Sequence, residues 1–162
     1  MLEVKLLETG AKVPTVANPG EDLGYDVYAL EEAELWPGQV TLVRTGIAVA
    51  AYNGVKKSIT TGIDHYVVSE WTEKGSPLGL IVKDRSSMAS KGIITHAGVI
   101  DAGYRGEVKI LLRNTRDTMY RIQAGDKIAQ LLPVSVLTGE VIAVGQLTSS
   151  NRGEKGFGSS GS

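Results

Sequence analysis

Val108-Lys-Ile-Leu-Leu-Arg-Asn114 is the stretch whose reading decides the fold. Val108, Ile110 and Leu112 alternate with Lys109 and Arg113, and a period of two residues is that of a half-buried β-strand. Just before it, Gly98-Val-Ile-Asp-Ala-Gly-Tyr-Arg-Gly106 reads as a strand, an acidic turn and a returning strand. The alternation recurs at Leu2, Val4 and Leu6 and at Val40 and Leu42, and further strands are expected at 78–82, 119–122, 128–136 and 141–147. Turn sequences separate them, among them Asn18-Pro-Gly, Trp36-Pro-Gly, Tyr52-Asn-Gly, Ala124-Gly-Asp and Leu137-Thr-Gly-Glu. Many short strands at this spacing predict an all-β sandwich or barrel of jelly-roll type, with helix a minor component. The 20 glycines, and Val plus Ile at 28 against 15 Leu, favour the same answer.

Composition removes several classes of function. With 162 residues, 42% hydrophobic and 22% charged, the chain is long enough and apolar enough for one self-sufficient core. Its longest apolar run, Ile47 to Tyr52, is far below the roughly 18 residues of a membrane span. The start, Met1-Leu-Glu-Val-Lys, mixes charge with apolar side chains and lacks the stretch of a secretory signal, so a cytoplasmic protein is expected, in the host cytoplasm if the chain is viral. Seventeen basic and 18 acidic residues leave a net charge of -1, which gives nucleic acid or an anionic membrane no bulk attraction. With no Cys and only 2 His, a closed zinc site cannot be built, so any metal is held by oxygen, as magnesium or calcium would be.

Two segments depart from the strand pattern. Residues 51–78, inside an expected β domain of 1–150, balance three lysines against Asp64, Glu70 and Glu73 and place Val67-Val68 between turn-prone residues. A protruding hairpin arm is predicted there, available to a protein partner. Residues 151–162 are Gly or Ser at seven of twelve positions and read as a flexible C-terminal arm. The arm's match to G-x-G-x-x-G is rejected, because that fingerprint works only between a strand and a helix. Its glycines, Ser159, Ser160 and the Arg152 guanidinium suit an anion instead, and Phe157 could stack on a planar base.

Other residues carry chemistry singly. Asp101, at the acidic turn, is a candidate general base, and the glycines around it leave backbone groups open to the pairing edge of a base. Arg85-Ser-Ser87 places a guanidinium beside two hydroxyls, a phosphate-binding set. Asp26 and Gln130 are polar residues inside apolar strand patterns, where they must be satisfied. His65 and His96 show no ligand spacing and read as surface or satisfied core residues.

Taken in order, Gly24-Tyr-Asp-Val-Tyr-Ala29, Arg85-Ser-Ser87, Gly98 to Gly106, Gly125-Asp-Lys-Ile-Ala-Gln130 and Arg152-Gly-Glu-Lys-Gly-Phe-Gly-Ser-Ser-Gly161 resemble the five motifs of the trimeric deoxyuridine triphosphatases, the dUTPases. The resemblance implies a jelly-roll-like β-barrel, a homotrimer, magnesium, and hydrolysis of dUTP to dUMP and pyrophosphate by water attack at the α-phosphorus. It makes Asp101, Asp26, Gln130 and Arg152 the catalytic set, with Asp101 activating the water and Asp26 near the magnesium through water. Gly98, Val99 and Ile100 would read uracil, and Tyr104 would exclude a 2'-hydroxyl by size. Arg85, Ser86, Ser87 and Gln130 would hold phosphates, and Lys109 is counted with the substrate-binding residues. Arg152, Gly158 and Ser159 would clamp the γ-phosphate, with Phe157 over uracil.

The chain departs from the family pattern at Lys155, where glycine is usual, at Asp84, which adds an anion before the motif arginine, and at Thr95 and His96, where relatives use an asparagine-bearing turn. Alternatives of the same fold are a dCTP deaminase or a bifunctional deaminase and dUTPase. Both need a glutamate in the strand after Asp101, where Leu111 stands and no carboxylate follows Glu107. A third alternative is a dUTP-binding regulatory module that uses 51–78 as a docking arm.

Overall fold

The structure is a computed structural model that describes residues 1–54, 75–151 and 153–154 in full and the backbone of 56–60 and 67–71. Thirteen strands, β1 to β13 in chain order, and one short helix are assigned among the described residues. Strand β11 (Lys109–Asn114) lies at the centre of a three-stranded antiparallel sheet, between β4 (Val40–Arg44) and β9 (Ile93–His96). Its Ile110, Leu112 and Asn114 are buried while Lys109 and Arg113 stay exposed, as the alternation predicts. Asn114 is satisfied in the core: its amide donates to Leu35 O at 2.7 Å and Thr118 O at 2.8 Å, and its Oδ1 accepts the Arg116 N–H.

A larger antiparallel sheet runs β1 (Leu2–Leu6), β5 (Ile47–Tyr52), β8 (Pro77–Lys83), β13 (Lys127–Ser135) and β2 (Tyr25–Tyr28), with the two-residue β10 (Val99–Ile100) also on β8. Neighbours in this sheet are distant in sequence, so the chain passes repeatedly between layers, as in a jelly-roll-like barrel. A small pair, β3 (Ala33–Leu35) with β12 (Tyr120–Ile122), forms a separate two-stranded sheet that sends Leu35 and Ile122 into the core. Val27, Leu35, Val43, Ile47, Ile93, Ile110, Leu112, Ile122, Ile128 and Leu131 form the core, each at most 2% exposed. Burying each contributes roughly 1.5–3 kcal/mol. No helix among the described residues is long and apolar enough to cross a membrane; α1 (Ser86–Ala89) has four residues.

Strands β6 (Lys56–Thr60) and β7 (Val67–Trp71) pair antiparallel with each other in a sheet of their own. The arm leaves and rejoins the barrel at one place, because Asn53 N–H donates to Ser76 O at 2.9 Å and Ala51 pairs with Leu78.

Two expectations need correction. Val40 and Leu42 face outward, 48% and 51% exposed, and Val43 is the buried residue of β4. The apolar pair marks an uncovered face, and alternation cannot say which of two faces a neighbour covers. Residues 141–147 form no strand: Val141 is 96% exposed, Ile142 70% and Leu147 83%, and they pair with no strand among the described residues. An apolar alternation becomes a strand only where another edge offers hydrogen bonds.

Candidate active site

Asp26 is the centre of a polar cluster at the edge of the large sheet. β2 places it opposite Gln130 of β13, and an isolated bridge to Thr15 holds its backbone on the other side. The residue is 7% exposed. Arg85 Nε donates to its Oδ1 at 2.8 Å, Lys127 Nζ lies 2.8 Å from Oδ2, and Gln130 Nε2 lies 3.5 Å from Oδ1. Burial by itself would raise this carboxyl, but the hydrogen bond from Lys127 and the charge of Arg85 outweigh it and hold it below its ordinary 3.8. The same hydrogen bond raises Lys127 above its usual value. Arg85, between β8 and α1, also donates to Ser87 Oγ at 3.2 Å, so Ser87 orients the guanidinium. Two cations on one carboxylate leave local positive charge, which suits a polyphosphate.

Lys127 was missed as a site residue, although it lies inside the quoted motif. A strict period of two sends residues 127 and 130 to opposite faces. A bulge between Lys127 and Ala129 inserts one extra residue, leaves Ile128 and Ala129 both buried, and brings Lys127 and Gln130 to the same carboxylate. Gly24 is needed beside them: a Cβ there would stand 3.1 Å from Gln130 Cβ.

A second cluster surrounds the turn after β10. The chain leaves β9, which belongs to one sheet, and enters β10, which belongs to the other, through Ala97 (φ 59°) and Gly98 (φ 116°). Gly98 O accepts the Val82 N–H at 2.7 Å, and a Cβ on Gly98 would come within 3.0 Å of Val82 O. Strain of this kind collects at ligand sites, where backbone must approach closely. Asp101 opens a turn closed by Tyr104 N–H to Asp101 O at 2.9 Å, and Arg105 Nη1 donates to Ala102 O and Tyr104 O, each at 2.8 Å. Asp101 is exposed, with no ion pair or side-chain hydrogen bond to its carboxylate among the described residues. A pocket of about 320 Å³ lies beside it, lined by Gly98, Val99, Asp101, Tyr104, Lys109 and His96 among others.

The departures noted in the sequence acquire places. Asp84 accepts the Thr95 N–H at 2.5 Å, so this anion ties β9 to the end of β8 and one of its oxygens is engaged by backbone. His96 is neither a free surface residue nor a satisfied core one, since its Nε2 is buried without a partner among the described residues. His65, Arg152, Lys155, Phe157, Gly158 and Ser159 lie outside the described residues.

The structure therefore joins Asp26, Arg85, Ser87 and Gln130 in one cluster and Gly98, Val99, Ile100, Asp101, Tyr104 and Lys109 in another. Within one chain the two stand apart. From β10 to β2 the order is β10, β8, β13, β2, three strand spacings or roughly 14 Å. Asp101 follows the Ile100–Leu80 pair while Asp26 lies level with Lys83, about four residues further along. Among the described residues no three acidic or histidine side chains converge as a metal cage. Three donors occupy the Asp26 carboxylate, leaving about one of its roughly four lone-pair directions.

Known proteins resemble this chain along its whole length. The family model described as dUTPase matches residues 74–161, more than half of the chain. A deoxyuridine 5'-triphosphate nucleotidohydrolase of Nocardia farcinica is 37% identical over 99% of this chain and 85% of its own length. One from Mycobacterium bovis is 36% identical over 99% and 94%. Among solved structures, the Staphylococcus bacteriophage 80alpha dUTPase with dUpNHpp superposes with a TM-score of 0.78 at 30% identity, covering 100% of this chain and 99% of that one. A variant of the phage phi11 dUTPase, whose structure details the coordination of a structural Mg(II) ion, reaches 0.71 at 25% identity over 92% and 99%. A polyphosphate-compatible cluster, a strained peptide corner beside an exposed aspartate and full-length relatedness agree: the chain belongs to the dUTPase family.

Proposed function

We propose that the chain hydrolyses dUTP to dUMP and pyrophosphate at a site assembled from both clusters. The observation that carries the assignment of residues is the division of labour between them: one gathers Arg85 and Lys127 around a single carboxylate, the other opens peptide groups beside an exposed Asp101. In this reading the Gly98–Ile100 backbone reads the uracil edge, and a cytosine amine would present a donor where an acceptor is needed. Asp101 takes the proton of the water that attacks the α-phosphorus, and the Pα–O bond to the pyrophosphate group breaks. Arg85, Lys127 and Gln130 face the charge that develops on the leaving group. Arg152 and Phe157 are assigned to the γ-phosphate and the base on the motif match alone.

Magnesium fits this donor set as a companion of the nucleotide, with Asp26 reaching it through water and the phosphates supplying the other oxygens. It would neutralise charge on the phosphate chain. The separation of the clusters, together with Val136, Leu137, Val141, Ile142, Val144 and Leu147 all exposed, supports a homotrimer in which this segment lies on a neighbouring copy. Deamination of dCTP is disfavoured, because Glu107, the one glutamate lining the pocket among the described residues, is already engaged by Arg44 and the Gly46 N–H.

The test is product analysis with magnesium and dUTP, dCTP, dTTP or UTP in turn, repeated with Asp101→Asn. Pyrophosphate from dUTP alone is expected, with turnover in the variant lower by about 10²–10⁴-fold and dUTP binding retained. Ammonia from dCTP would refute the assignment, and near-normal turnover by the variant would remove Asp101 from the mechanism.

A further inference from the structure

Beside the pocket lies an ion pair that the proposed mechanism does not use. Glu107 follows Tyr104 by three residues, and its side chain is 12% exposed. Its carboxylate accepts Arg44 Nε–H at 3.2 and 3.3 Å and the Gly46 N–H at 3.0 Å, with Lys109 Nζ 3.7 Å away. Arg44 is held in turn by Glu8. The next residue is fastened to the same corner, since Val108 N–H donates to Ile47 O at 2.8 Å and Val108 O accepts the Thr45 hydroxyl. The Glu107 backbone is thus fixed from both sides.

That backbone in turn holds Tyr104. The Tyr104 hydroxyl donates to Glu107 O at 3.1 Å, and the ring lies over Gly106, where a Cβ would fall 2.4 Å from the hydroxyl oxygen. The ring is 47% exposed, so little packing of its own restrains it. A wall that must reject one extra oxygen works only if it does not yield, and a half-exposed ring yields unless its tip is tied.

We propose that Glu107, locked by Arg44 and the Gly46 N–H, is a positioning residue that sets the Tyr104 ring and thereby determines selectivity for deoxyribose over ribose. The inference rests on the reading of Tyr104 as the residue facing the sugar. Arg44, on β4, becomes a remote member of the specificity apparatus.

The experiment measures the ratio of kcat/KM for dUTP to that for UTP in the full chain and in Tyr104→Phe, Gly106→Ala, Glu107→Gln and Arg44→Met. Each substitution loosens the ring by a different route: loss of the hydroxyl, displacement by a methyl group, loss of the ion pair from either side. Each should lower the preference on the order of tenfold, chiefly through faster turnover of UTP. The double variant Tyr104→Phe with Glu107→Gln should lose no more than the larger single change, because both break one chain of contacts. Melting curves confirm folding, and Arg44→Met, the more exposed partner, serves if Glu107→Gln does not fold. Folded Glu107→Gln or Arg44→Met retaining the full preference, or Tyr104→Phe retaining it, would overturn the proposal. An unmodified chain with dUTP turnover but no preference over UTP would instead overturn the reading of Tyr104.

Discussion

Replacing Asp26 by asparagine tests whether the polar cluster is held together by charge. The substitution keeps shape and one acceptor but removes the negative charge facing Arg85 and Lys127, each at 2.8 Å. Losing one partner of a fully buried pair costs about 3–5 kcal/mol. Here the Asp26 side chain is 10% exposed and Arg85 25%, so water screens part of the interaction and a loss of about 2 kcal/mol is expected for the Asp26 variant. For a chain of this length that corresponds to a fall in melting temperature of roughly 4–8 °C.

The pH dependence fixes the cause. Asp26 titrates below its ordinary 3.8 in the folded protein, so the unfolded chain binds its proton first. The stabilisation is therefore fully present above 3.8 and disappears as pH falls through the lower, folded-state value. Denaturant midpoints of the unmodified protein and Asp26→Asn should differ by a constant amount from pH 8 to 5 and converge below 3.8. A variant as stable as the parent at pH 7, or a difference that persists unchanged in acid, would refute the charge argument.

Three further outcomes follow from the geometry. Gly98→Ala should lose about 1–3 kcal/mol in denaturant unfolding and raise KM for dUTP, since its φ of 116° and the 3.0 Å approach to Val82 O leave no room for a methyl group. An unchanged midpoint would mean the corner relaxes freely. Replacing residues 55–74 by a short glycine linker should leave melting within a few degrees and dUTP turnover within about twofold, because the Asn53–Ser76 hydrogen bond already closes the excision. A folded but inactive product would show that the arm helps build the site. Leu137→Asp combined with Val141→Asp should convert the proposed trimer to smaller species in sedimentation, and an unchanged sedimentation profile would show that this segment does not cover a neighbour.

The β character was legible because alternation needs only the residues themselves: β8, β11, β12 and β13 fall at or within two residues of the expected strands. The paired cluster of Asp26 and Gln130 was legible in part, since an unpaired polar group inside an apolar strand has to find a partner. Lys127 was hidden by the bulge, which reverses the face that simple counting assigns. Asp84 looked like a superfluous anion because its partner is the backbone of Thr95, eleven residues on and in another strand.

Local pattern therefore determined the class of fold, the positions of several strands and most of the residues able to carry chemistry, because side-chain period and turn chemistry act over a few residues. Tertiary structure alone decided that β4 turns Val40 and Leu42 outward, that residues 141–147 pair with no strand among the described residues, and that Asp26 and Asp101 stand in separate clusters. These outcomes depend on which surfaces meet across the barrel, and contacts between residues tens of positions apart leave no periodic trace in the chain.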